Sequence, residues 1–205
     1  MYTNEDKFKE VLSGTKRKGI DGVLAKLEEL KFFEAPASTK FHLSSKGGLL
    51  AHSLNVYEAA LALRAQAIER KPELEAALPL DSVAICSLLH DTCKTDIYVD
   101  TLISRKNALG IWEKHPGYTT DYLAALPLGH GEKSVIMLLS WGLELTPDEM
   151  MAIRWHMSAW DLPEQSFEHK ESLRAAKEKC ALVSLIQLAD GFAVGLLERD
   201  GSRDK

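Results

Sequence analysis

Apolar residues in this chain recur at the spacing of one helix face after another, and no other property constrains its fold as much. Val23, Leu24, Leu27 and Leu30 form one stripe, and Leu50, Leu54, Tyr57, Leu61 and Ile68 a second. Leu182, Ile186, Ala189, Ala193 and Leu196 form a third. The pattern predicts helices over 4–13, 21–32, 49–69, 82–93, 147–157 and 171–198, the last broken near Lys179. A further helix opens at Gly129-His130-Gly131, buries Val135, Ile136, Leu138 and Leu139, and stops at Gly142. Stops and starts agree with local chemistry. Gly14 and Pro36 end helices, Pro72 and Pro79 bracket a break, and Asp81 can cap the segment after it. Thr146-Pro147-Asp148-Glu149 reads as a capping box with proline at the first helical position. The exception is 97–118, where Tyr98, Val99, Ile103, Ile111 and Trp112 surround Asn107-Ala108-Leu109-Gly110. That segment reads as a short β-hairpin or an irregular flap, followed by a short helix over Tyr118–Ala125. The expected architecture is all-α, a single compact helical bundle. Residues 1–45 supply N-terminal helices that pack on the core, 46–198 the main helical domain, and 199–205 a frayed tail.

With 205 residues, 45% of them hydrophobic and 27% charged, the chain can bury a core without covalent staples. Its net charge of -5 argues against long nucleic acid as a partner, though not against a small anion met by local positive charge. Cys86, Cys93 and Cys180 are odd in number and form no CxxC pair, so a disulfide framework is not expected. The first residues lack the pattern of a signal peptide, and no apolar run reaches the roughly 18 residues of a membrane span. A cytoplasmic location without membrane attachment is expected.

The informative residues are polar groups on faces that should be oily. Asp190 interrupts the third apolar stripe, and a carboxylate there costs several kcal/mol unless a cation or hydrogen-bond donors compensate. His90-Asp91 follows Ala84-Ile85-Cys86-Ser87-Leu88-Leu89, so two polar groups must be satisfied together at the end of an apolar run. His52 lies in the first turn of the 49–69 helix, after Gly47 and Gly48. Singly, each has a plainer reading: a paired buried carboxylate, a satisfied core histidine, an exposed terminal histidine. As a set they offer two nitrogens and two oxygens. That donor set suits Mn, Fe, Zn, Co or Ni better than calcium.

The ordered set His52, His90-Asp91 and Asp190, each following apolar residues, resembles the HD superfamily, over roughly residues 46 to 195. The resemblance implies an all-α metal-dependent phosphohydrolase, with His52, His90, Asp91 and Asp190 as ligands and a nucleotide or small phosphorylated metabolite as substrate. His130 and His156 lie in the interval where dinuclear members carry ligands for a second metal. One or two ions per chain are therefore expected, with Asp91 as the bridge if there are two. The chain lacks the Gly-Tyr-Pro signature of HD-GYP proteins, so a cyclic-dinucleotide substrate is not implied. His42, His115 and His169 match no ligand position and read as surface residues.

Within that chemistry, Lys94, Lys133 and Lys46 are the candidate substrate contacts. Lys94 lies one turn after His90, Lys133 at the start of the His130 helix, and Lys46 beside the glycine pair. Asp91, Lys94 and Glu132 are the candidate catalytic groups, with Asp96 a further proton carrier. Arg154, next to His156, can face either the site or solvent. An HD-fold diiron oxygenase and a non-catalytic metal- or nucleotide-binding module are the alternatives. Trp141 and Trp160 read as exposed, compatible with a homodimer contact.

Overall fold

A computed structural model describes residues 2–121, 123, 126–161 and 166–199. It is mostly helical, with one two-stranded antiparallel sheet. The helices are α1 (Asn4–Gly14), α2 (Ile20–Glu29), α3 (Gly48–Arg70), the single turn α4 (Leu74–Ala77), α5 (Leu80–Leu89) and the single turn α6 (Lys94–Ile97). After the ribbon of β1 (Tyr98–Lys106) and β2 (Trp112–Thr120) come α7 (His130–Ser140), α8 (Pro147–Trp155), α9 (Phe167–Lys179) and α10 (Ala181–Phe192), the last extended by a π-turn over Ala193–Leu197.

The termini follow the chemistry of their caps. Thr146 and Glu149 close a reciprocal capping box on α8, and Thr3 and Asp6 do the same on α1. The long C-terminal helix does break, at extended Cys180, where the chain bends by 105° between α9 and α10. Helix α5 begins at Leu80 behind Pro79, so Asp81 lies in its first turn and is not its cap. The helix ends at Leu89, so His90 and Asp91 stand at its C-terminus and not within it. The hairpin reading of 97–118 holds, with Tyr98 paired to Thr120 and Lys106 to Trp112. Tyr118–Thr120 therefore continue a strand where a helix was expected; Tyr122, Ala124 and Ala125 lie outside the described residues. Of the polar stretch 161–170, residues 162–165 also lie outside them, and Phe167 onward is helix.

One hydrophobic core runs from Phe8 on α1 to Ala193 after α10, so the N-terminal helices share it with the rest of the bundle. Its centre is α5, where eight consecutive residues, Ser82 to Leu89, are buried. Two of the expected stripes turn differently. On α7 the buried side is Gly131, Lys133, Ser134, Met137 and Leu138, leaving Ile136 and Leu139 exposed. At the chain's end Leu196 is 70% exposed, because the π-turn rotates it off the face that Ala189 and Ala193 share. Among the described residues, no single helix is long and apolar enough to cross a membrane.

Candidate metal centre

Five of the chain's seven histidines form one continuous arc. Ring centroids lie 5.1 Å apart from His42 to His52, 5.2 Å from His52 to His90, 4.7 Å from His90 to His156 and 5.4 Å from His156 to His130. They come from the loop before α3, the first turns of α3 and α7, and the C-terminal ends of α5 and α8. Glycine makes two of these approaches possible. A Cβ on Gly48 would run into the carbonyl of Leu43, which draws the 36–47 loop over the start of α3. A Cβ on Gly131 would run into the backbone of Arg154, so α7 meets α8 where His130 and His156 emerge.

Asp91 stands at the middle of the arc, 2% exposed. Its Oδ2 lies 3.3 Å from both His52 Nε2 and His90 Nε2, and its Oδ1 lies 2.5 Å from His130 Nε2 and 3.4 Å from His156 Nε2. Asp190 Oδ1 reaches within 3.4 Å of His52 Nε2. One carboxylate thus divides its oxygens between two pairs of imidazoles.

The far side of each ring fixes which nitrogen carries a proton. His90 Nδ1 donates to the carbonyl of Ser87 (2.8 Å) and His156 Nδ1 to the carbonyl of Ile153 (2.7 Å). His52 Nδ1 faces the carboxylate of Glu198 at 3.0 Å. In the neutral rings of these three histidines the Nε2 lone pair is therefore left pointing inward. Two of these lone pairs, on His52 and His90, lie 3.2 Å apart, and buried His156 Nε2 has no hydrogen-bond partner. Inward lone pairs beside carboxylates, in a buried site, are donors that could hold a divalent metal ion. His52, His90 and Asp91 can hold one ion, and Asp91, His130 and His156 another.

Electrostatics agree with that fit. Burial opposes charge on His52, yet hydrogen bonds to the carboxylates of Asp91 and Glu198 push its pKa up to about 9. Burial likewise opposes charge on His130, but Cys93 and Asp91 push it up to about 10. Asp91 is held well below the usual carboxylate range despite burial, chiefly by Lys94, then by His90 and His130. Positive charge is thus favoured at His52 and His130 beside Asp91, whereas burial lowers His156. His42 behaves like His156: burial and the nearby Lys94 charge lower it to about 4, so it is neutral at physiological pH.

Above the centre lies a cavity of about 430 Å³, reached by Asp91, Lys94, His130, His156 and Asp190. Phe41, Tyr98, Met157 and Trp160 form much of its apolar wall. Lys94 is buried, its Nζ 2.6 Å from Asp91 Oδ2, and it stays protonated because Asp91 outweighs the cost of burial. The other charged candidates lie elsewhere. Lys133 is buried but turned to Asp96, 2.7 Å away, and it lines a separate pocket beside Cys93. Glu132 is bonded to Arg154 at 2.8 Å, over an apolar depression between α7 and α8. Lys46 is exposed and paired with Glu34 at 2.9 Å. Of the tryptophans, Trp160 is 90% exposed, whereas Trp141 packs partly buried against the core.

Two neighbours of the centre were not expected. His42 is no surface residue: it lines the cavity and its Nε2 is buried. Glu198, at the edge of the expected tail, is buried beneath His52 and Asn55. The one sequence cue for His42 is its position in a loop that closes on a glycine pair. Glu198 has none, lying between Leu197 and Arg199 in a charged ending. All three cysteines are buried free thiols. Comparisons of the chain with protein-family models, with curated proteins and with solved structures found no match.

Proposed function

We propose that this protein is a metal-dependent phosphohydrolase of the HD type, cleaving a phosphate ester of a nucleotide or small phosphorylated metabolite. The observation that carries the reading is Asp91, a buried carboxylate shared between two imidazole pairs at the foot of a cavity that also holds a buried ammonium. His52, His90, Asp91 and Asp190 would hold one divalent ion, and His130 and His156, with Asp91, a second. The chemistry such an ion supplies when bound is Lewis-acid charge and a water pKa brought down toward about 7.

The chain's own residues account for the rest. Lys94 keeps its proton, so it serves as fixed charge for the non-bridging oxygens of a phosphoryl group and not as a base. Its pairing with Asp91 holds the ammonium in place before substrate arrives. The wall of Phe41, Tyr98, Met157 and Trp160 offers apolar surface to the organic part of the ester. The cavity volume lies within the ~300–1,000 Å³ range of small-molecule sites.

The test is phosphate release from a panel of nucleotides and sugar phosphates with Mn, Co or Ni present. Asp91→Ala is expected to lower turnover by about 10²–10³-fold or more; full activity in that variant rejects the reading. The same paired histidines would also serve two irons in an oxygenase of this fold. Oxygen uptake with a mixed-valent iron signal, in place of phosphate release, would select that alternative.

A further inference from the structure

Glu198 is placed where no stripe or motif would put a functional group, yet it is wholly buried against one imidazole. Its Oε1 and Oε2 lie 3.0 and 3.1 Å from His52 Nδ1, and Asn55 Nδ2 donates to the same Oε1 at 3.0 Å. His42 closes the open side, its Nε2 3.9 Å from Glu198 Oε2, which is too far for a hydrogen bond.

The π-turn brings this carboxylate into position. In an unbroken α-helix residues 190 and 198 would be rotated about 80° apart, whereas residues seven apart differ by only about 20°. The wider turn over Ala193–Leu197, closed by the Glu198 N–H on the carbonyl of Ala193 (3.1 Å), absorbs one residue. Asp190 and Glu198 then meet the same ring from its two ends, Asp190 at Nε2 and Glu198 at Nδ1.

His42, His52 and Glu198 also have the composition of an ion site of their own. A neutral imidazole has one lone pair, however, and that of His52 is committed at Nε2 among Asp91, His90 and Asp190. Its Nδ1 is left to donate, and Glu198 to accept.

From this geometry we propose that Glu198 is the positioning residue of the metal centre: it fixes the proton of His52 on Nδ1 and aims Nε2 at the ion, and the π-turn exists to deliver it. The proposal rests on the metal-binding part of the functional reading and not on the identity of the reaction. Carboxylates that orient a ligating histidine typically contribute 10–100-fold to metal affinity.

The experiment compares wild type, Glu198→Ala and Glu198→Gln by two measurements on the full chain. The first is affinity for Zn and Co by competition with a chromophoric chelator. The second is the His52 imidazole N–H resonance in ¹⁵N-histidine-labelled, metal-free protein. Wild type is expected to show a downfield, exchange-protected Nδ1–H. Glu198→Ala should lose that signal and about 10–100-fold in affinity. Glu198→Gln, which keeps an acceptor oxygen, should retain the signal, shifted upfield, with an intermediate affinity. An unchanged His52 N–H resonance in Glu198→Ala overturns the proposal, as does metal affinity within threefold of wild type. If wild type binds neither ion, the metal-binding reading falls and this proposal with it; metal affinity that is lost in Glu198→Ala, without phosphate release in wild type, upholds the proposal and rejects only the reaction.

Discussion

At the scale of single residues, the centre depends on charges that have no water to fall back on. Lys94 and Asp91 are each nearly inaccessible and rely on one another, and breaking a buried pair by removing one partner typically costs about 3–5 kcal/mol. Lys94→Met is therefore expected to lower the stability of metal-free protein by about 3 kcal/mol in denaturant titration, the low end because neighbouring imidazoles supply some compensating charge. The same variant should lose at least about 10²-fold in turnover. A variant as stable and as active as wild type would contradict the role given to Lys94. The groups that the sequence made legible at this scale are those whose polarity clashes with their surroundings. His90, Asp91 and Asp190 interrupt apolar runs, and the structure brings them together with His52, His130 and His156. Glu132, Lys133 and Lys46 had only adjacency to recommend them. One step along a helix turns a side chain by about 100°, and these three point to Arg154, Asp96 and Glu34. Glu198 was illegible for the converse reason, since nothing local distinguishes it from a solvated tail residue.

At the scale of elements, the periodic stretches were readable and their ends were less so. The capping box of α8 and the break beside Lys179 stood in the sequence because each has a local cause. The π-turn did not, because no local feature of Ala193–Leu197 marks it; its effect shows only in the contacts of Asp190 and Glu198 with His52. Close packing of α7 on α8 gives a second prediction. Gly131→Ala pushes its new methyl against the Arg154 backbone, and overpacking of this kind costs about 1–3 kcal/mol. Because the displaced residue adjoins His130, the variant should also bind fewer metal equivalents than wild type by elemental analysis; full stoichiometry would count against the second imidazole pair. A third prediction concerns Glu149, the partner of Thr146 in the capping box of α8. Its buried carboxylate takes two bonds from Arg17, at 2.6 and 2.9 Å, and one from Ser82 at 2.7 Å. Burial would raise its pKa, but these bonds hold it below the ordinary 4.5. The unfolded chain thus takes up this proton at a higher pH than the folded one. The stabilisation is complete above about pH 4.5 and is lost as pH falls from there through the folded value. Glu149→Gln should lower the neutral-pH plateau by about 2 kcal/mol and flatten the acid limb of a melting-temperature profile. An acid limb unchanged from wild type would rule this out.

At the scale of the whole molecule, one core serves both the early helices and the site, so occupancy of the site and integrity of the fold are linked. Ligand bound only to the native state stabilises by about 2.7 kcal/mol at a concentration 100 times its dissociation constant, or roughly 5–10 °C for a chain of this size. Adding Zn, Co or Mn to chelator-treated protein should therefore raise its melting temperature in a dose-dependent way, and a flat response would point to a non-metal module. That several helices would converge was legible from their stripes. How five imidazoles would line up was not, since it depends on close backbone approaches at Gly48 and Gly131 that no local pattern reveals.

The divided carboxylate of Asp91 also restricts how such a molecule can change over generations. On the proposed two-ion reading, a descendant could shed His130 or His156 and keep the other half of the site, because each belongs to a single pair. Substitution at residue 91 offers no such gradual route, since it dismantles both halves in one step.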